Sequence, residues 1–142
     1  MLSSPTATQD EGPHQLVLTG VGRFAVFADL SSAEAHWDGL RMRAFQVAEA
    51  DFEVAGQAYW GGWSWWRFDC DARTVDRLDF AAVKAGGAEG PAISDDAPAY
   101  EAAEGGDAAE LLELACQSPA IQRDGHTTLE AAVRAGRAAL AE

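Results

Sequence analysis

The stretch at residues 52–70, FEVAGQAYWGGWSWWRFDC, decides the fold and holds four of the chain's five tryptophans. Diglycine favours a two-residue turn between antiparallel strands, so Gly61-Gly62 predicts a β-hairpin with strands at 52–60 and 63–70. Side chains alternate across a strand, which sends neighbouring indoles of the second strand to opposite faces of the sheet. One face then carries Trp66, Phe68 and Cys70, which suit packing under a helix.

The other face of this hairpin is the candidate binding surface. The small residues Gly56 and Ala58 lie opposite large side chains in the expected pairing, which leaves a shallow trough on this face. Tryptophan and arginine also contribute much of the binding energy at protein interfaces. Two interpretations stay open: the face is covered by another part of the chain, or part of it docks a protein or ligand. The candidate binding residues are Trp60, Trp63, Trp65, Arg67 and Asp69.

Outward from this hairpin, periodicity predicts an α+β fold. A first hairpin is expected at 15–29, a short helix at 31–40 begun by a Ser31-x-x-Glu34 capping box, and further strands at 41–48 and 74–80. Helices are expected from Asp107 and from Thr127, each with a glutamate three residues on. The predicted architecture is an antiparallel β-meander of five to six strands, with one short helix after the first hairpin and two C-terminal helices packed on one sheet face.

The chain's length fits one domain. Residues 1–14 are polar and proline-punctuated and are predicted to be a disordered tail, which leaves residues 15–142 as a single α+β domain. Residues 85–99, rich in Gly, Pro, Ala and Asp, read as a surface linker before the C-terminal helices. Frequent alanine and a single lysine, Lys84, indicate a GC-rich, bacterial genome.

The formal net charge of −13 disfavours nucleic acid and anionic membranes as partners, and no run is long and apolar enough for a membrane span. Residues 88–116 hold eight acidic side chains and no basic one. Such a run is either a solvated face or an electrostatic lure for a basic protein partner.

No residue pattern argues for catalysis, a cofactor or a metal, and an enzyme is not favoured. The acidic residues Glu49, Asp51 and Glu53 read as a solvated turn, and no nucleotide, hydrolase or zinc motif is present. Cys70 and Cys116 lie far apart in sequence and are read as two buried free thiols rather than a pair, in a cytoplasmic protein.

These features favour a non-catalytic acidic protein-binding module that engages a basic partner, as toxin-neutralising (immunity-like) or chaperone-like proteins do. The alternative is a small-molecule-binding α+β cup, with enzymatic activity left open, whose pocket lies between the sheet and the C-terminal helices. Trp65, Arg67 and Asp69 would form its polar edge. A cavity of several hundred Å³ favours the alternative, and a filled interior argues against it.

Overall fold

A long central strand, β5 (Gln57–Asp69), organises the sheet in the computed structural model of the protein, which describes residues 13–117 and 124–142. One edge of β5 pairs with β3 (Gly39–Val47). Its other edge pairs first with β7 (Asp79–Lys84) and then with β6 (Thr74–Arg77). All of these pairings are antiparallel.

Shorter strands extend this core on both sides. The remaining described strands are β1 (Leu16–Val21), β2 (Ala25–His36), β4 (Glu53–Val54), β8 (Ile93–Ser94) and β9 (Tyr100–Glu101). The main path runs β1-β2-β3-β5-β6-β9, and the sheet curls into a half-barrel. An antiparallel α+β fold with two C-terminal helices is therefore confirmed.

The predicted helix at 31–40 is wrong, because this segment belongs to β2 and β3. Glu34 pairs with Arg41 and His36 pairs with Gly39 across a tight turn. Ser31 and Ser32 do not cap a helix; they bond to Asp29 in an irregular stretch of β2. The two serines satisfy backbone and carboxylate groups where the strand leaves its register.

The predicted turn at Gly61-Gly62 is also wrong, since β5 continues through both glycines, with a shift of register against β7 between Tyr59 and Gly61. A Cβ on Gly61 would lie 1.8 Å from the Gln46 carbonyl oxygen, and one on Gly62 would lie 2.2 Å from the Phe80 ring. The chain turns instead at Ala55-Gly56, where both residues have positive φ. Such a pair of conformations matches the twist of a two-residue hairpin.

The two helices lie on opposite faces of the sheet, which corrects the expectation that both pack on one face. Helix α1 (Asp107–Cys116) covers a cluster that includes Met42, Phe68 and Val75. Helix α2 (Leu129–Leu140) covers a cluster on the other side of the same strands.

Cross-strand rows explain how the faces differ. On the α2 face, Phe27 pairs with Phe45, which pairs with Trp63, so three rings run across β2, β3 and β5. One residue along, on the α1 face, the matching row is small and is formed by Ala28, Ala44 and Ser64.

A disulfide between Cys70 and Cys116 ties the β5–β6 turn to the last residue of α1, so the expectation of two free thiols is wrong. Helix α1 crosses β1, β2 and β3 and also contacts β5 and β6, so the two Cα atoms come within 5.8 Å despite 46 residues of separation. The pairing depends on tertiary packing rather than on local sequence.

The described residues include the end of the predicted tail at 1–14 and all of the predicted linker at 85–99. Residues 1–12 of the expected tail lie outside the described residues, whereas His14 is buried and bonds to Asp29 at 2.8 Å. The expected linker at 85–99 is largely exposed and contains β8, which pairs with β7.

Candidate functional site

The structure does not gather the five predicted binding residues on one open surface. Trp63 is only 4% exposed, and its ring packs edge-on against Phe45 with centroids 5.0 Å apart. The guanidinium of Arg43 lies 4.3 Å above the indole and closes it off further. Trp60 is half-buried against the same cluster. These two indoles therefore act as core residues.

The other three predicted residues are engaged within the chain. The backbone N–H of Trp65 donates to Asp79 at 2.8 Å, and its ring lies beside Arg43. Arg67 bridges Asp38 and Asp76. Asp69 is exposed and accepts a hydrogen bond from the Ala72 N–H, which shapes the β5–β6 turn.

A cavity lies on the opposite face of the sheet, between the sheet and α1. This cavity, called here the α1 groove, has a volume of about 360 Å³. Its apolar part comes from the sheet and from the buried side of α1, and its polar part comes from β6, from the segment between β8 and β9, and from the start of α1. The lining residues used below are Gln46, Ser64, Trp66, Arg77, Tyr100 and Asp107, with Asp76 and Asp95.

Ser64 supplies an unused polar group to the α1 groove. The residue is 3% exposed, and its Oγ has no hydrogen-bond partner among the described residues. A buried hydroxyl without a partner is unfavourable by about 1–3 kcal/mol. The oxygen itself is buried, so a ligand or water must displace the atoms that cover it before a bond to it can remove that cost.

Aromatic side chains stand on two sides of the α1 groove. Trp66 is half-buried and stacks on Phe68, with centroids 6.3 Å apart and planes within 14°. Tyr100 is 49% exposed and is held by pairing of β9 with Val75. Partial burial raises the pKa of Tyr100 above its usual value.

The charged groups of the α1 groove are unequally paired. Arg77 bonds to Asp95 at 3.1 Å, and Asp76 bonds to Arg67. The Ala97 N–H and then Arg77 hold the pKa of Asp95 below its usual value, so this carboxylate stays ionised. Asp107 has no ion pair within the described ranges, which leaves the groove with an excess of negative charge.

A second cavity of about 290 Å³ adjoins the α1 groove on the same sheet face. This cavity, called here the apolar groove, is lined almost wholly by carbon. Its lining residues are Phe24, Gln46, Ala48, Phe52, Val54, Tyr59, Gly61, Gly62, Phe80 and Ala82. Gln46 lines both cavities and stands at their border.

A third cavity of about 220 Å³ surrounds the ion pairs of Arg67. Although burial opposes the charged form of Asp38, hydrogen bonds from Arg67 and Arg41 lower its pKa. Within residues 13–117 and 124–142, no group of three or more His, Cys, Asp or Glu side chains is arranged to hold a metal ion. The charged groups of this cavity form a salt-bridge network of Asp38 with Arg41 and Arg67, and of Arg67 with Asp76.

Sequence reasoning missed Trp37 as an exposed residue. It stands at the β2–β3 turn with 95% of its surface exposed. Helical spacing over 31–40 would place this indole on one face with Ala33 and Leu40. A two-residue turn between paired strands was the alternative that would have exposed it.

Sequence reasoning also missed Ser64 and Tyr100. Ser64 could have been found from the alternation that places it beside Trp66 on one face. Tyr100 follows the expected linker, and no local signal pairs it with β6.

No family model, curated protein or solved structure matches this chain. Neither of the helices described is long and apolar enough to cross a membrane.

Proposed function

We propose that the protein binds a small organic cation in the α1 groove. The observation that carries this proposal is a cavity whose floor holds a buried, unpartnered hydroxyl and whose sides hold two aromatic rings and an unpaired carboxylate, Asp107. The proposal follows the second interpretation of the sequence, a small-molecule-binding cup, which a cavity of several hundred Å³ favours. The volume of the α1 groove falls within the usual range for ligand pockets.

The charge of the ligand follows from the lining. Three carboxylates and one guanidinium line the α1 groove, and the chain as a whole carries a formal charge of −13. Tryptophan and tyrosine rings attract cations through their negative faces. An overall negative field also raises the local concentration of cations. A carboxylate or phosphate ligand would meet repulsion from the same groups.

The organic nature of the ligand follows from the apolar part of the lining. Val26, Ala44 and Leu111 would contact hydrocarbon and would not replace the water shell of an inorganic ion. The ligand that fits has an ammonium or guanidinium group, a hydrocarbon body, and an atom that can hydrogen-bond Ser64.

Titration with benzyltrimethylammonium, followed by calorimetry and by tryptophan fluorescence, tests the proposal. We expect saturable binding at one site. Asp107→Asn should weaken binding about fivefold, which corresponds to about 1 kcal/mol for a solvent-facing charge. Added salt should also weaken binding, because it screens the attraction.

Glu110→Gln is the matched control for this experiment. It removes the same charge from the same helical turn, and Glu110 is exposed as Asp107 is, but it does not line the α1 groove. Equal effects of the two substitutions would show a general field rather than a site. Absence of binding to the unmodified protein would refute the proposal.

A second candidate function is the binding of a basic protein partner, in an immunity-like or chaperone-like role. Trp37 favours it, since a fully exposed indole on a hairpin tip is the kind of anchor that interfaces use. Against it, Glu89, Asp95 and Glu113 of the acidic region already pair with arginines of this chain. Retrieval from a native lysate at low and high salt tests it: Trp37→Ser should lose the low-salt partner, and no partner at low salt argues against it.

For its location we propose an oxidising compartment rather than the expected cytoplasm. The Cys70–Cys116 disulfide supports this, because disulfides persist mainly where thiols are not kept reduced. Alkylation of the protein taken from cells under denaturing conditions should modify neither cysteine. Modification of both would favour the cytoplasm.

A further inference from the structure

We infer that the ligand is an amphiphilic cation whose charged head occupies the α1 groove and whose hydrocarbon tail occupies the apolar groove. This inference rests on the proposed function and names the ligand class more closely. It treats the two cavities as two parts of one elongated site.

The two cavities meet on one continuous strip of the sheet. Gly62 lines the apolar groove and Ser64 lines the α1 groove, and they are two residues apart on the same face of β5. That separation is about 6.8 Å along the strand. The neighbouring strand contributes Gln46, opposite Gly62, to both cavities. A chain of a few methylenes is long enough to cross this distance.

The apolar groove has the chemistry of a tail site. Phe24 and Phe52 lie edge to face with centroids 6.3 Å apart, and Val54 is 53% exposed. Phe80 lies over the position where Gly62 lacks a side chain. Covering exposed apolar surface of this kind with hydrocarbon is favourable, because it removes that surface from water.

The charged groups near the border between the two cavities favour a cationic head group over an anionic one. The Arg77 guanidinium lies 5.7 Å from the centroid of the Phe80 ring and is neutralised by Asp95. A fatty-acid carboxylate at the head position would therefore face Asp95, Asp76 and Asp107 with no unpaired cation among them. An ammonium head meets the opposite situation.

A chain-length series tests the inference. Tetramethylammonium and its butyl, hexyl and octyl trimethylammonium analogues are titrated below their micelle-forming concentrations, with octanoate alongside them. We expect affinity to rise about two- to fourfold for each methylene that enters the apolar groove, and octanoate to bind far more weakly. Val54→Asp should reduce at least fivefold the gain in affinity from the tetramethyl to the octyl compound, because a carboxylate then stands where the tail would pack.

Val21→Asp is the matched control, because Val21 is 48% exposed and does not line the apolar groove. If tetramethylammonium binds with Asp107 dependence but chain length has no effect, this inference fails and the proposed function stands. If none of the cations binds, both fail. Stronger binding of octanoate, or sedimentation showing that Val54→Asp separates a dimer, would also overturn the inference.

Discussion

The two faces of this sheet are built from the same strands, but one is closely packed under its helix and the other leaves a cavity. On the α2 face, the row of Phe27, Phe45 and Trp63 fills the space beneath the helix. On the α1 face, the matching row is Ala28, Ala44 and Ser64, and a cavity of about 360 Å³ lies beside it. A shift of one residue along each strand separates a closed core from a potential binding site.

The helices add to this difference. Gly136 lets α2 approach closely, since a Cβ there would lie 2.9 Å from the Cβ of Val47. Arg137 then bonds to the carbonyl oxygens of Ala48 and Tyr59. Helix α1 buries Leu111 and Leu112 almost completely, while its first turn, Asp107 and Ala108, lines the cavity together with Leu111. Its far end is fixed by the disulfide.

The largest expected contrast between the faces is in tryptophan truncation. Trp63→Ala should lower the free energy of unfolding by about 3–5 kcal/mol, because it empties the closed core. Trp66→Ala should cost about 1–3 kcal/mol, since this ring is only half-buried, and should also weaken ligand binding. Urea unfolding of both variants checks this. Equal losses of stability would mean that the faces are packed alike.

Removal of the disulfide should act mainly on the α1 face. The Cys70→Ala/Cys116→Ala variant should lose about 2–4 kcal/mol of unfolding free energy, because the unfolded chain is no longer constrained. Ligand affinity should fall as well, since α1 forms one wall of the cavity. Thermal unfolding with and without a reducing agent provides the control: reduction should lower the Tm of the wild type and leave the variant unchanged. An unchanged Tm in the wild type would contradict the assigned pairing.

The smallest contrast comes from a matched pair of alanines, one on each helix. Ala132→Leu should destabilise by about 1–3 kcal/mol, because Ala132 is fully buried on the side of α2 that faces the sheet. Ala108→Leu should change stability by less than about 1 kcal/mol, since its extra atoms enter the α1 groove, and should reduce binding of benzyltrimethylammonium. Chemical denaturation and calorimetry measure the two effects. A large destabilisation by Ala108→Leu would indicate that this space is filled.

Alternation within a strand could be predicted from the sequence, and it placed Trp65 and Trp66 on opposite faces. The two C-terminal helices could also be predicted, because apolar spacing acts locally. The predicted caps were wrong in detail: Gly106 precedes α1 without a side-chain cap, and Thr128 rather than Thr127 caps α2. The predicted turn was wrong because glycine has two uses. Gly61 and Gly62 are small so that Gln46 and Phe80 can approach them, and the turn falls at Ala55-Gly56.

The candidate site was harder to predict than the fold. Indoles on two faces make Trp63 a candidate binding residue, with cover by another part of the chain as the alternative, and the structure places Trp63 in the cluster under α2. The cavity arises where β9, α1 and β5 come together, and these segments are far apart in sequence. The same holds for Cys70 and Cys116, which only the packing of α1 brings together.

Mapping of amide chemical shifts during titration with hexyltrimethylammonium tests the central claim most directly. We predict that shifts concentrate on Gln46, Gly62, Ser64, Trp66 and Tyr100, which line the two grooves on the α1 side. Amides of the α2 face, such as those of Phe27 and Val133, should remain unperturbed. Shifts centred on the α2 face, or no saturable shifts at all, would contradict the assignment of the binding site to the α1 side of the sheet.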